Sequence, residues 1–218
     1  PFLAELLRSD SIYVASNITF DNLAPLSTYL GKPGDPAKGG VPFDEYMRRQ
    51  ELHAAAERAA MLDTLPFIER AKTLYGYDNF ICDTSGSIVE VVDPNDPDDP
   101  VMSVVAQKVL PVWIEGGPEH SAELARRFDA DPKPMYYRPE FLRAAWDSYR
   151  DQTGEDAASV DPDAFIRWTY GKAMAHREPA YRALANRWGV TVQAADVAAV
   201  RDAAGFDALI AAALETAR

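Results

Sequence analysis

The stretch "YGYDNFICDTSGSIVEVVD", residues 75–93, is the one on which the reading of this chain turns. An apolar run climbs to Cys82, meets Asp83 and breaks into a turn of small residues. "NFICD" (79–83) has the brevity and composition of a buried strand. Two roles are open to Asp83: a carboxylate at the mouth of a sheet, or a cap on the segment after it. Ser87 and Glu90 stand in the S-x-x-E spacing of a capping box, ahead of a short helix "IVEVV". That spacing gives the cap to Ser87 and leaves Asp83 for chemistry.

On its N-terminal side, "SIYVAS" (11–16) reads as a β-branched strand and "NLAPLSTYL" (22–30) as a helix with Pro25 near its first turn. "GKPGDPAKGGVP" (31–42) holds four Gly and three Pro, which makes it a loop, long for a compact domain. "FDEYMRRQELHAAAERAAML" (43–62) is a strong helix. "LPFIERAKTLYG" follows as an amphipathic one, with Gly76 suited to its C′ position. After the Pro/Asp linker "DPNDPDDP", Asp99 and Pro100 form an N-cap and N1 pair for "VMSVVAQK". "LPVWIE" (110–115) is a strand. Pro118 opens a helix that runs to Phe128, and further helices lead to a short strand "GVTV" (189–192) and a last helix "FDALIAAALE". Short apolar strands alternating with helices predict an α/β fold: a doubly wound, mostly parallel sheet flanked by helices. Ligands of such sheets bind beyond the carboxyl ends of the strands, where Asp83 and Glu115 fall.

Composition narrows the function. The 218 residues carry a formal charge of −12, which argues against a general nucleic-acid or anionic-membrane surface. The one cysteine cannot form an internal disulfide, and three scattered histidines disfavour a zinc site. No apolar run approaches a membrane span and no signal peptide is visible, so a cytoplasmic location is expected. The acidic linker lacks the glycine and terminal glutamate of an EF-hand loop.

A strand of the form hhhhD before a Ser/Thr/Gly turn is what a Walker-B element looks like. Its chemistry needs a carboxylate on rigid backbone, holding Mg²⁺ opposite nucleotide phosphates. Asp83 meets that description, and Thr84 or Ser85 would order the water shell. "VWIEGGPEHSAELARRFDADPKPMYY" (112–137) resembles the fourth strand, helix and lid of shikimate-kinase-like P-loop phosphotransferases. The resemblance implies that Arg126 and Arg127 close over ATP and neutralise charge on the transferring phosphoryl group. Lys133 falls where that pattern carries an arginine before proline. Read without the resemblance, Arg126 and Arg127 are cations favourable to a helix C-terminus.

Four further stretches extend the likeness: "IYVASNITFDNLAPLSTYLGKPGDPAKGGVPFDEYMRRQ", "NFICDTSGSIVEVVD", "VWIEG" and "RRFDADPKPMYYRPEFL". Together they resemble a family of alphaproteobacterial P-loop ATPases across essentially the whole chain. The resemblance implies one P-loop NTPase-like domain over 1–218, with 17–62 as a helical insert and 129–187 as a lid plus helical segment. ATP and Mg²⁺ are the implied cofactors, and the implied activity is ATP hydrolysis or phosphoryl transfer to a small acceptor. The family's Walker-A loop lies upstream of these stretches. Neither Gly31–Lys32–Pro33 nor Gly171–Lys172–Ala173 fits G-x-x-x-x-G-K-[ST], so that loop is expected to precede Pro1. Arg48 and Arg49, with Lys32 and Lys38, would meet an anionic acceptor, or else form a solvated helix face. His53 and His120 read as surface residues, and the rings at 136, 137, 168, 170 and 188 as packing.

Two rivals remain. "FICDTSGSIV" has the outline of a haloacid-dehalogenase nucleophile loop, but Ser85 stands where that chemistry needs a second aspartate. A P-loop-like module that binds a partner without turnover is the other.

Overall fold

The computed structural model describes residues 27–84 and 86–217. Ser85, the strand expected over 11–16 and the start of the helix expected over 22–30 lie outside the described residues. In chain order the elements are α1 (Ser27–Leu30), α2 (Phe43–Leu62), α3 (Thr64–Tyr75), α4 (Ile88–Val91), α5 (Met102–Val105), β1 (Val112–Glu115), α6 (Pro118–Ala130), α7 (Pro139–Thr153), α8 (Pro162–Trp188), β2 (Val190–Gln193), α9 (Ala194–Ala199) and α10 (Ala203–Thr216). No helix among the described residues is long and apolar enough to cross a membrane.

The expected doubly wound sheet is not what forms. Among the described residues the chain is mostly helical, and its sheet is the single parallel pair β1–β2, in register from Val112↔Val190 to Glu115↔Gln193. Parallel neighbours need a long crossover, here supplied by α6, α7 and α8. Residues 79–83 are coil instead of a strand. Ile81 is 89 % exposed, and Phe80 and Tyr77 also face solvent. A strand persists only where its backbone groups find a ladder partner, and no described strand lies beside this run. A five-residue apolar run carries no information about its partner.

The core is built on helices. Phe43 of α2 stacks on Trp146 of α7 at 4.5 Å, and Trp146 and Tyr149 both meet Phe165 of α8 edge-on, at 5.0 and 5.4 Å. α2 buries one face carrying Tyr46, Met47, Gln50, His53 and Ala54. Buried Gln50 joins that face to the segment before α7: its Oε1 accepts the Tyr137 N–H and its Nε2 donates to the Met135 carbonyl. The Tyr46 hydroxyl donates to the same carbonyl at 2.7 Å.

The Gly/Pro loop 31–42 is docked against the start of α8. Asp35 N–H donates to the Val160 carbonyl, and Lys32 Nζ stands 2.6 Å from Asp163. Lys38 lies 3.8 Å from Asp161, whose side chain caps α8 through the Asp163 and Ala164 N–H groups. Both lysines therefore help tie the loop to the start of α8.

Burial also sets an alkaline limit on the fold. Tyr46 and Tyr137 are pushed up well above the usual phenol range by burial, and Tyr136 to about 12 from the same cause. A folded-state pKa raised above the unfolded one gives stability that is whole below the unfolded value and lost as pH rises through the folded one. Unfolding midpoints in urea are therefore expected to fall steadily from about pH 10 upward. A midpoint unchanged up to about pH 12 would show these phenols ionising freely in the folded protein.

Candidate functional site

The chain leaves α3 at Gly76, in the left-handed region as the C′ reading required, and runs exposed to Asp83. Gly86 and Ser87 form a turn that leads into α4. Asp83 is exposed, Thr84 half-buried, and Cys82 half-buried beside Thr64, with its thiol pushed up by burial. The Thr84 carbonyl accepts the Ser87 N–H at 3.0 Å.

Two helices grip this turn. The Tyr181 hydroxyl of α8 donates to the Gly86 carbonyl at 2.8 Å. Gly86 has φ 71°, and a Cβ there would meet the Tyr181 hydroxyl at 2.8 Å, so both backbone and neighbour require glycine. From the other side, Ser87 Oγ lies 3.0 and 3.2 Å from the two carboxylate oxygens of Glu57 on α2. Glu57 in turn stands 3.1 Å from Nε2 of His53. His53 is buried, its ring 5.0 Å from that of Tyr136, and its Nδ1 has no hydrogen-bond partner among the described residues. Serine relays place the imidazole between hydroxyl and carboxylate. Here the carboxylate is in the middle, so the arrangement tethers the turn and does not activate Ser87 through histidine.

Ser87 is thus no side-chain cap, and the capping box is corrected at both ends. Glu90 is buried against Arg177 of α8, with Oε1 2.5 Å from Nε, while Oε2 accepts the Arg138 N–H at 2.9 Å. Arg177 also donates to the Tyr136 carbonyl at 2.6 Å. Burial opposes the charge on Arg177, but Glu90, together with Tyr181 and Tyr137, offsets it and holds the guanidinium pKa above its ordinary value. The Arg138 guanidinium donates to the carbonyls of Val89 and Val92, closing the end of α4.

The other sequence candidates lie apart from this turn in their bonding. Arg126 and Arg127 both bind Glu123 at 2.8 Å and are 70 and 71 % exposed; those two hydrogen bonds hold the Glu123 carboxyl at about 2. Lys133 is 3.4 Å from Asp131 on the surface. Arg48 and Arg49 repeat the pattern on Glu45, also at about 2 because of them, and Arg49 donates to the Tyr29 carbonyl. Glu115 ends β1 in contact with Arg182 and Gln193, each at 2.9 Å. No group of three or more His, Cys, Asp and Glu arranged to hold a metal occurs among the described residues.

His53, Glu57, Arg138, Arg177 and Tyr181 escaped sequence reasoning. One signal was present: Tyr46, Gln50, His53 and Glu57 recur at spacings of four, three and four, which puts them on one helix face. Comparison with known proteins adds no assignment, since no family model, curated protein or solved structure matches this chain.

Proposed function

We propose that this protein acts on Mg²⁺-ATP, hydrolysing it or passing its terminal phosphoryl group to a small anionic acceptor, with Asp83 as the metal-holding carboxylate. The observation that supports this reading is the seating of Asp83. It is solvent-accessible, yet the turn after it is fixed by Tyr181 from α8 and by Glu57 from α2. Mg²⁺ suits such a seat, because it keeps most of its waters and takes one or two carboxylates plus substrate phosphates. Thr84 adjoins the same position. Arg126 and Arg127 are compatible with a phosphate-clamping role, since exposed ion pairs such as theirs with Glu123 are weak and exchange readily for a stronger anion. Lys133 lies on the segment beyond them.

The test is Asp83→Ala in the full protein. Its side chain is exposed, so the melting temperature is expected to stay close to wild type, while Mg²⁺-ATP turnover falls to background. Phosphate release measured beside thermal unfolding decides it: turnover retained in the variant removes Asp83 from the metal, and absence of turnover in the wild type removes the whole reading. A second reading, a partner-binding module without turnover, is favoured by the exposed apolar run Leu74, Tyr75, Tyr77, Phe80 and Ile81.

A further inference from the structure

A cavity of about 370 Å³ opens between α4 and its following acidic loop, the start of α7, and the second half of α8. That volume falls within the range of pockets for small metabolites. Pro179 lines it from α8; having no N–H to give the Ala175 carbonyl, it interrupts the helical hydrogen bonding at the wall.

Charge is sorted by depth. Buried Arg177 and half-buried Arg138 line the interior with buried Glu90, while Asp93 and Glu140 are exposed at the edge. Two guanidinium charges against one carboxylate leave one positive charge inside. The rim carboxylates are screened by water and salt, the interior groups much less. Glu90 is fully engaged by Arg177 and by the Arg138 N–H. The Arg138 guanidinium uses Nε and Nη2 on backbone carbonyls, and its Nη1 makes no hydrogen bond among the described residues. Beside it Phe141 stacks on His176 at 4.6 Å and gives the cavity an aromatic wall.

We propose that this cavity binds a small molecule through a carboxylate or phosphate group. The anionic group meets Arg138 Nη1, and the body of the ligand lies against Phe141 and His176. Where the phosphoryl-transfer reading holds, this ligand is the acceptor, and the acceptor contact moves from Arg48 and Arg49 to Arg138. The binding itself does not depend on that reading.

Calorimetric titration of the full protein in ATP-free buffer, with inorganic phosphate and separately with malonate, tests the site. Saturable binding of phosphate assigns a phosphate ester, of malonate a carboxylate, and of both a site for either oxyanion. Binding is expected to weaken by about tenfold or more in Arg138→Gln. Ala183→Phe, which fills the cavity from α8 without altering either arginine, is expected to do the same. Arg143→Gln, on the exposed face of α7, is expected to bind as wild type. The proposal is overturned if neither probe saturates, or if binding survives Ala183→Phe. The outcome is separate from that of the Asp83 turnover assay, so the two readings fail independently.

Discussion

Arg177→Ala is expected to lower stability by about 3–5 kcal/mol, the cost of stranding a buried charge. The side chains of Glu90 and Arg177 are 2 and 10 % exposed, so removal of the cation leaves the Glu90 carboxylate in a low-dielectric site. The Tyr136 carbonyl loses its donor in the same step. For a chain of this size the loss corresponds to a fall in melting temperature of roughly 6–20 °C. The paired substitution Arg177→Met with Glu90→Gln is expected to recover much of it, because neither residue then carries an unmatched charge. Urea unfolding at neutral pH measures both. A loss below about 1 kcal/mol for Arg177→Ala would mean that water reaches the pair and that it behaves like a surface bridge.

Gly189→Ala is expected to break the strand pair. A Cβ at this position would press into the Pro111 carbonyl oxygen and stand 2.8 Å from the carbonyl carbon. Both are backbone atoms, and the same carbonyl accepts the first bond of the pair, from Val190 N–H at 3.0 Å. No rotamer change relieves that contact, so β1 and β2 must separate at their start. The expected loss is about 3 kcal/mol or more, with fast amide exchange at Val190 and Val192. Gly171→Ala in α8 is the matched comparison. Nothing stands within 4 Å of its added carbon, and the helix gains roughly 0.5–1 kcal/mol. Equal stability of the two variants would show that the strand pair tolerates the added carbon.

The local signals in the sequence were accurate where the structure is local. α2 occupies Phe43–Leu62 as its composition required, Gly76 closes α3, and Asp99 accepts the Val101 and Met102 N–H groups at the start of α5. β1 and β2 lie within or beside the segments read as strands. The pattern E-x-x-R-R, in "EYMRR" and again in "ELARR", sets each pair of arginines against one glutamate on a helix surface. What could not be read is non-local. "NFICD" has strand composition, but pairing depends on a neighbour that five residues do not specify. Ser87 and Glu90 have capping spacing, yet their partners are Glu57, 30 positions away, and Arg177, 87 positions away. His53 looked like a surface residue because α2 is polar overall, and only the face it shares with Tyr46 and Gln50 buries it.

The Ser87–Glu57–His53 line also constrains how this protein can change over time. A partly satisfied polar network costs more than an apolar one of the same shape, so replacing any single member leaves its neighbours worse off than replacing all three. Related chains are therefore expected to keep the trio intact or to have exchanged it as a set, and the exit of the Asp83 turn inherits that conservatism from a helix about thirty residues upstream.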